Sequence, residues 1–240
     1  MGRQDIGPPT RCASCPASDK GFCGAIFASC GDRAAFKELD QRFFTVAAGH
    51  PVGTDSDIIV LCSGWAFRYL PFSDGRRQIV KFLFTGDFAS VRMIFSNVPS
   101  RADFSVKSLS DVQVCAFHAG ALRRKCLTDP SLVALGFELL LQERSDAYEL
   151  ASVLGQRPAE GRIAFLILSL MRRANAGRLD QSRRYSLPLR QQHIADTVGL
   201  TTVHVSRILA QFRDRGMLTI SEGSIIVHDL PALEDAGALT

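Results

Sequence analysis

No apolar run in this chain approaches the roughly 18 residues that a membrane-spanning helix needs. The opening stretch, MGRQDIGPPTRC, has no apolar core of the kind a secretory leader carries. A cytoplasmic protein with no membrane partner is expected, in a compartment where thiols stay reduced and stable disulfides are rare. A nucleotide-binding glycine loop, a His-Glu metal motif and a nucleophile elbow are all missing, so an enzyme is not expected. Lysine is missing between Arg157 and Thr219, where eleven arginines stand against four acids, a net of +7. The whole chain of 240 residues carries only +4. A basic segment on a nearly neutral remainder points to a polyanionic partner.

What the chain has in excess near its start is cysteine. Of seven cysteines, Cys12, Cys15, Cys23 and Cys30 fall within residues 1–30, with two residues between Cys12 and Cys15 and seven between Cys15 and Cys23. This stretch is rich in Cys, Gly and Pro and has no apolar periodicity, so it does not make a core by itself and an external constraint such as a metal could order it. Thiols at this spacing suit a zinc half-site, a thiol redox switch or a metal cluster. Cys62 and Cys126 read as packed or idle thiols.

Four regions follow: 1–30, the Cys-rich segment; 31–128, a β-barrel sensor domain; 129–155, a dimerisation helix; and 156–240, a DNA-binding domain. The barrel is read from short apolar or alternating runs such as IIVLCSG and WAFRYLPF, and from Asp74-Gly75, a hairpin-turn signal. Asp129-Pro130 starts the helix and Gly155 stops it. Leu132, Leu135, Leu139, Leu150 and Val153 fall near a 3.5-residue spacing, which reads as a coiled-coil dimer seam, with packing on the chain's own barrel as the other reading. Glu143, Asp146 and Glu149 lie near that seam and would face like charges across it.

In the last region two helices are expected over about 190–198 and 202–215. Ala195 lets them approach, Gly199 permits the tight turn, and Val205 and Ile208 face the core, which is helix-turn-helix spacing. MLTIS and SIIVHD, separated by Glu222-Gly223, read as a two-stranded wing. The second helix of such a unit lies in the major groove with its first turns nearest the bases. Those turns hold Thr202, Val203, His204, Ser206 and Arg207. Arg207 can bond guanine O6 and N7 bidentately. Arg190, Gln191, Gln192 and Arg213 are expected on phosphates, which position without specifying.

The order of these parts resembles the Crp/Fnr family of transcription regulators, from about Phe43 to Val227. DGRRQIVKFLFTGDF is similar to the family's barrel motif, and GLTTVHVSRILAQFRDRGML to its reading head. The resemblance implies an α+β fold: an N-terminal β-jelly-roll (cyclic-nucleotide-binding-like) barrel, a long dimerisation helix and a C-terminal winged helix-turn-helix. Within the family the chain looks most like the Fnr branch of alphaproteobacterial type. That branch holds an oxygen-labile [4Fe–4S] cluster by three N-terminal cysteines and one at the end of the barrel. The resemblance implies Cys12, Cys15, Cys23 and Cys115 as ligands, Cys115 through DVQVCAF, with Cys30 as the alternative to Cys23. It also implies a homodimer on a pseudo-palindromic duplex operator, RNA polymerase as a partner, and control of low-oxygen metabolism. A zinc, thiol-redox or nitric-oxide signal stays open, as does a small molecule in the barrel.

Two departures limit the likeness. The Fnr reading helix usually has Glu where this chain has Val203, so the usual half-site is not expected. The cyclic-nucleotide branch carries a Glu and an Arg-Ser pair where this chain has Val91, Arg101 and Ala102, so no cyclic nucleotide is expected.

Overall fold

In a computed structural model of the chain, residues 3–5, 15–20, 23–24, 41–53, 57–89, 104–175, 177–180, 183–221 and 223–238 are described. Cys12, Cys30, Val91, Arg101 and Ala102, singled out by the sequence, lie outside the described residues. The chain divides into two compact units, one of residues 1–70 and 81–146, the other of 71–80 and 147–240.

Two antiparallel sheets lie mainly in the first unit. One has the order β1 (Arg3–Asp5), β2 (Gln41–Val46), β7 (Val112–His118), β3 (Asp57–Ser63); the other has β5 (Arg77–Leu83), β4 (Ala66–Pro71), β6 (Ser105–Ser108). Asp74 and Gly75 form the turn between β4 and β5, as their dipeptide signal predicts, and the Asp74 carboxylate accepts from the Arg76 N–H at 3.0 Å.

The first sheet is apolar on both faces. Successive strand residues point to opposite sides. Phe44, Val46, Ile59, Leu61, Val112, Val114 and Ala116 therefore pack between the sheets with Ala66 and Leu83. Ile58, Val60, Cys62, Cys115 and Phe117 face the other way, into a second cluster. Helix α1 (Ala119–Thr128) and the start of α2 (Pro130–Gln156) cover that cluster through Ala119, Leu122 and Leu132.

This placement corrects the seam reading at Leu132, Leu135 and Leu139. Leu132 is buried in the second cluster, and Leu135 and Leu139 pack against it. A 3.5-residue stripe says that one helix face is apolar and not what covers it; here the sheet of the same chain does. The large apolar side chains that α2 leaves in solvent are Phe137, Leu141 and Tyr148, on a different stripe. The charge reading is corrected as well. Glu143 accepts from Arg68 at 3.0 Å and Asp146 from Lys81 at 2.8 Å, so strand cations already neutralise both acids.

Arg68 is buried, and its guanidinium also donates to the carbonyls of Ala89 (2.9 Å) and Phe88 (3.2 Å). Removing one partner of a buried ion pair costs more than the pair contributes, because the other charge stays desolvated. Glu143 keeps some solvent contact, which softens its loss.

In the second unit, α3 (Ala159–Ala174) buries Ile163, Ile167, Leu170 and Met171 along one face. Helices α4 (Gln191–Val198) and α5 (Thr202–Asp214) follow, then α6 (Leu230–Gly237). The wing has three strands, β8 (Arg184–Ser186), β10 (Ser224–Val227) and β9 (Leu218–Ser221), in that order across the sheet. The sequence reading found β9 and β10 only. β8 is three residues long, with just Tyr185 buried, which is too little periodicity to read as a strand.

Glu143→Gln is expected to lower unfolding stability by about 1 kcal/mol and Arg68→Met by about 3 kcal/mol. Urea unfolding followed by circular dichroism measures both; equal, negligible losses would mean that the pair does not hold α2 to the strand.

Candidate functional site

The described cysteines gather in one place. Cys23, Cys62 and Cys115 are buried members of the second cluster, and Cys15 and Cys126 pack against it half-buried. Backbone register explains part of this. Cys115 on β7 pairs with Val60 on β3 and with Phe43 on β2, which puts all three on one face. Cys62 follows Val60 by two positions, at the point where the β3–β7 register shifts between Leu61 and Ser63. It shares the face of Cys115 for that reason.

Cys15 and Cys23 reach this face from a coiled segment. The Ser18 N–H donates to the Cys15 carbonyl at 2.9 Å, the Lys20 N–H to Ala17 at 3.1 Å and the Gly24 N–H to Lys20 at 3.0 Å. Ala17 is fully buried. The segment passes so near the barrel that a Cβ on Gly86 would come within 3.0 Å of the Lys20 backbone. Gly86 also has φ of 93°, a conformation that other L-residues rarely adopt.

The neighbouring Cys62 thiol, assisted by the backbone at Ala17, brings the Cys15 thiol down to about 6 against the opposing effect of its own burial. Cys62 is pushed up instead, first by its contact with Cys15, then by burial and the neighbouring Cys15, Cys115 and Cys23. Burial, and then Asp129, push Cys126 up as well.

Three of the four thiols expected as ligands, Cys15, Cys23 and Cys115, are thus brought into one cluster. Thiolates are the donors that iron–sulfur clusters take, so the donor chemistry fits such a group. The described residues on their own do not converge as a metal site: no group of three or more potential ligands among them is placed to hold an ion. Cys62 is the residue that sequence reading set aside. The alternation of IIVLC carried the signal, but with both faces of β3 apolar the alternation does not say which side meets Cys115.

The second site is the exposed side of α5. Gly199 caps α4 in the left-handed conformation (φ 68°), and Thr201 caps α5, its hydroxyl accepting from the His204 N–H at 3.2 Å. Ala195, Val205 and Ile208 are buried where the helices meet, as their spacing predicts. Val203, His204, Ser206 and Arg207 are exposed, Val203 by 67%, and Thr202 is half-buried. Arg190, Gln191, Gln192 and Arg213 are exposed too, with the Gln192 amide donating to Asp196 and Arg213 3.4 Å from Asp214. His193 Nδ1 accepts from the Arg190 N–H at 3.0 Å, closing the first turn of α4. A groove of about 300 Å³ beside α5 is lined by Gln191, Ser206, Arg213 and residues of β9. Every residue expected at the DNA is therefore on the surface except half-buried Thr202, whose nearness to the cap turns it partly inward.

A sequence profile of the Crp-like helix-turn-helix domain matches residues 161–236. The chain is 29% identical to the nitrogen fixation regulation protein FixK of Bradyrhizobium diazoefficiens, over 95% of this chain and 94% of that one. It is 31% identical to the transcriptional activatory protein AadR of Rhodopseudomonas palustris, over 70% of this chain and 68% of the relative. In fold it is similar to the structure of FixK2 from Bradyrhizobium japonicum, with a TM-score of 0.73 at 23% identity, covering 84% of this chain and all of the other.

In metal-free protein, Cys15 is expected to alkylate with half its maximal rate near pH 6, while Cys62 stays unreactive at neutral pH. Replacing the neighbouring thiol, Cys62→Ala, should move the Cys15 midpoint up toward about 8.5, the ordinary thiol value. Iodoacetamide labelling against pH, read by peptide mass, gives both numbers; an unchanged midpoint would separate the low value from Cys62.

Proposed function

The chain belongs to the Crp/Fnr family of transcription regulators, and we propose that it is a cytoplasmic homodimer whose operator binding is set by oxygen or redox state through a [4Fe–4S] cluster. The ligands in this reading are Cys12, Cys15, Cys23 and Cys115. The observation that carries it is the meeting of Cys15 and Cys23 with Cys115, which is far from both in the chain, at the cluster that α1 and the start of α2 close. Such a cluster, when bound, supplies an oxygen-labile group tied to four thiolates.

The protein's own residues carry the rest. Leu132, Leu135 and Leu139 hold the first half of α2 onto the thiol-bearing face. Any change in packing at Cys15, Cys23 or Cys115 therefore acts on that helix directly. Phe137, Leu141 and Tyr148, spaced by four and seven residues, form one exposed apolar stripe on α2. That stripe is the dimer face in this reading. The dimer presents two copies of α5 to a duplex operator with half-sites about one helical turn apart. Arg207 reads guanine, Val203 makes apolar contact with a thymine methyl, and His204 and Ser206 reach bases or phosphates. Arg190, Gln191, Gln192 and Arg213 fix the register on the backbone. The barrel serves as scaffold without a cyclic nucleotide, and RNA polymerase and the genes of low-oxygen metabolism are the downstream partners.

Arg207→Ala should lose about 1–3 kcal/mol of discrimination at one base position, while Arg213→Ala weakens all sequences alike and lowers the salt slope by about 1. Binding to a randomised duplex pool at several salt concentrations separates the two effects. Phe137→Asp with Tyr148→Asp should give a folded monomer by sedimentation.

Protein purified without oxygen is expected to be brown, with about four irons and four sulfides per chain, and to bleach and lose its dimer in air. A colourless chain with one zinc, or with no metal, overturns the cluster reading. A cluster that survives air and bleaches with nitric oxide assigns the other gas.

A further inference from the structure

Arg157 follows α2 directly and stands two residues before α3, at the joint between the two helices. Its side chain is charged, yet the residue is only 8% exposed. The Nη1 group donates to the Gly237 carbonyl at the end of α6, and Cζ lies 5.2 Å from the centre of the Phe165 ring. The other two nitrogens, Nε and Nη2, are closed off from water and have no hydrogen-bond partner. Among the described residues no carboxylate pairs with this guanidinium. Nε–H and Nη2–H share one edge of the guanidinium plane, the edge that can take both oxygens of a carboxylate. Arg68, the other buried arginine among the described residues, has that edge filled: its Nε and Nη2 donate to Ala89, Phe88 and Glu143.

Arg157 also lines a cavity of about 520 Å³ that lies wholly in the second unit, among the end of α2, α3 and α6. Phe165, Leu168 and Gly237 give the cavity an apolar wall. Arg157, Arg172 and Arg173 stand there against Glu149 and Glu234, three positive charges to two negative, and Arg172 and Glu234 pair at 2.6 Å. A buried charge left without a counter-charge is costly, and a ligand that supplies one gains what the fold does not provide.

We propose that this cavity is a binding site for a small organic acid, with one carboxylate on the Nε–Nη2 edge of Arg157 and an apolar tail against Phe165 and Leu168. A surplus of one positive charge suits a monocarboxylate. The second charge of a phosphate would face Glu149 and Glu234. Both donors are closed off in the structure, so the acid is met by a small turn of the guanidinium toward the space that Arg157 already lines. The bound acid ties three elements at one joint, since Arg157 follows α2, lies over Phe165 of α3 and holds the end of α6. The site stands whether or not the thiols of the first unit hold a metal.

The test uses the full chain with hexanoate as the probe, and hexanamide and inorganic phosphate as controls. Equilibrium dialysis should show saturable binding of hexanoate at one site per chain, and no binding of hexanamide. In protein labelled with nitrogen-15 at arginine, the Nε–H resonance of Arg157, identified by its loss in Arg157→Met, should move when hexanoate is added. Arg157→Met should weaken hexanoate by about thirtyfold or more. It should melt no lower than the wild type, because an apolar chain of similar length replaces an unpaired buried charge. Ser169, half-buried on the cavity wall, gives a second variant that leaves Arg157 in place. Ser169→Leu fills the space and should block hexanoate without lowering Tm. Equal binding of hexanamide, tighter binding of phosphate, an Arg157 resonance that hexanoate leaves in place, or a folded Ser169→Leu that binds as the wild type does would each overturn the proposal.

Discussion

The first unit depends on one constraint: its four-stranded sheet is apolar on both faces, so both have to be covered. The face that carries Ile59, Leu61, Val114 and Ala116 is closed by the second sheet. The opposite face carries Ile58, Val60, Cys62, Cys115 and Phe117, and among the described residues no third sheet meets it. Helix α1, the first turns of α2 and the coil around Cys15 and Cys23 do that work. The same need for cover that stabilises the fold therefore draws thiols from three separate stretches into one apolar volume. Burial of the side chains, at about 25 cal/mol per Å² of apolar surface, supplies the driving force. No thiol–thiol attraction is needed.

This origin explains the electrostatics of the cluster. The Cys15 thiol is brought down and the Cys62 thiol pushed up first by their contact with each other, and for Cys62 then by burial. The solvent-facing partner takes the negative charge and the buried one keeps the proton.

The ionic links on α2 have a comparable logic. Arg68 is buried with three acceptors around it, two of them carbonyls of the chain near Phe88, and its charge is balanced by Glu143. Lys81 and Asp146 repeat the arrangement nearer the surface. A helix held by apolar contacts alone could rotate about its axis with little penalty. Two directional ion pairs set its rotation, and that rotation decides that Phe137, Leu141 and Tyr148 face outward.

The sequence by itself determined the features that are local. The helix-turn-helix was legible because Ala195, Gly199, Val205 and Ile208 fall in one short stretch, where helical period and turn stereochemistry leave little choice. The exposure of Val203, Ser206 and Arg207 followed from the same period. The Asp74-Gly75 turn was legible for the same reason. Tertiary structure alone decided which thiols meet and which stripe of α2 is free. Cys62 joins Cys115 only through the pairing of β3 with β7, a register between strands far apart in the chain, and a run such as IIVLC is apolar in either register. Leu132, Leu135 and Leu139 are equally apolar whether a partner chain or their own sheet covers them, and the sheet is the surface that lies within reach.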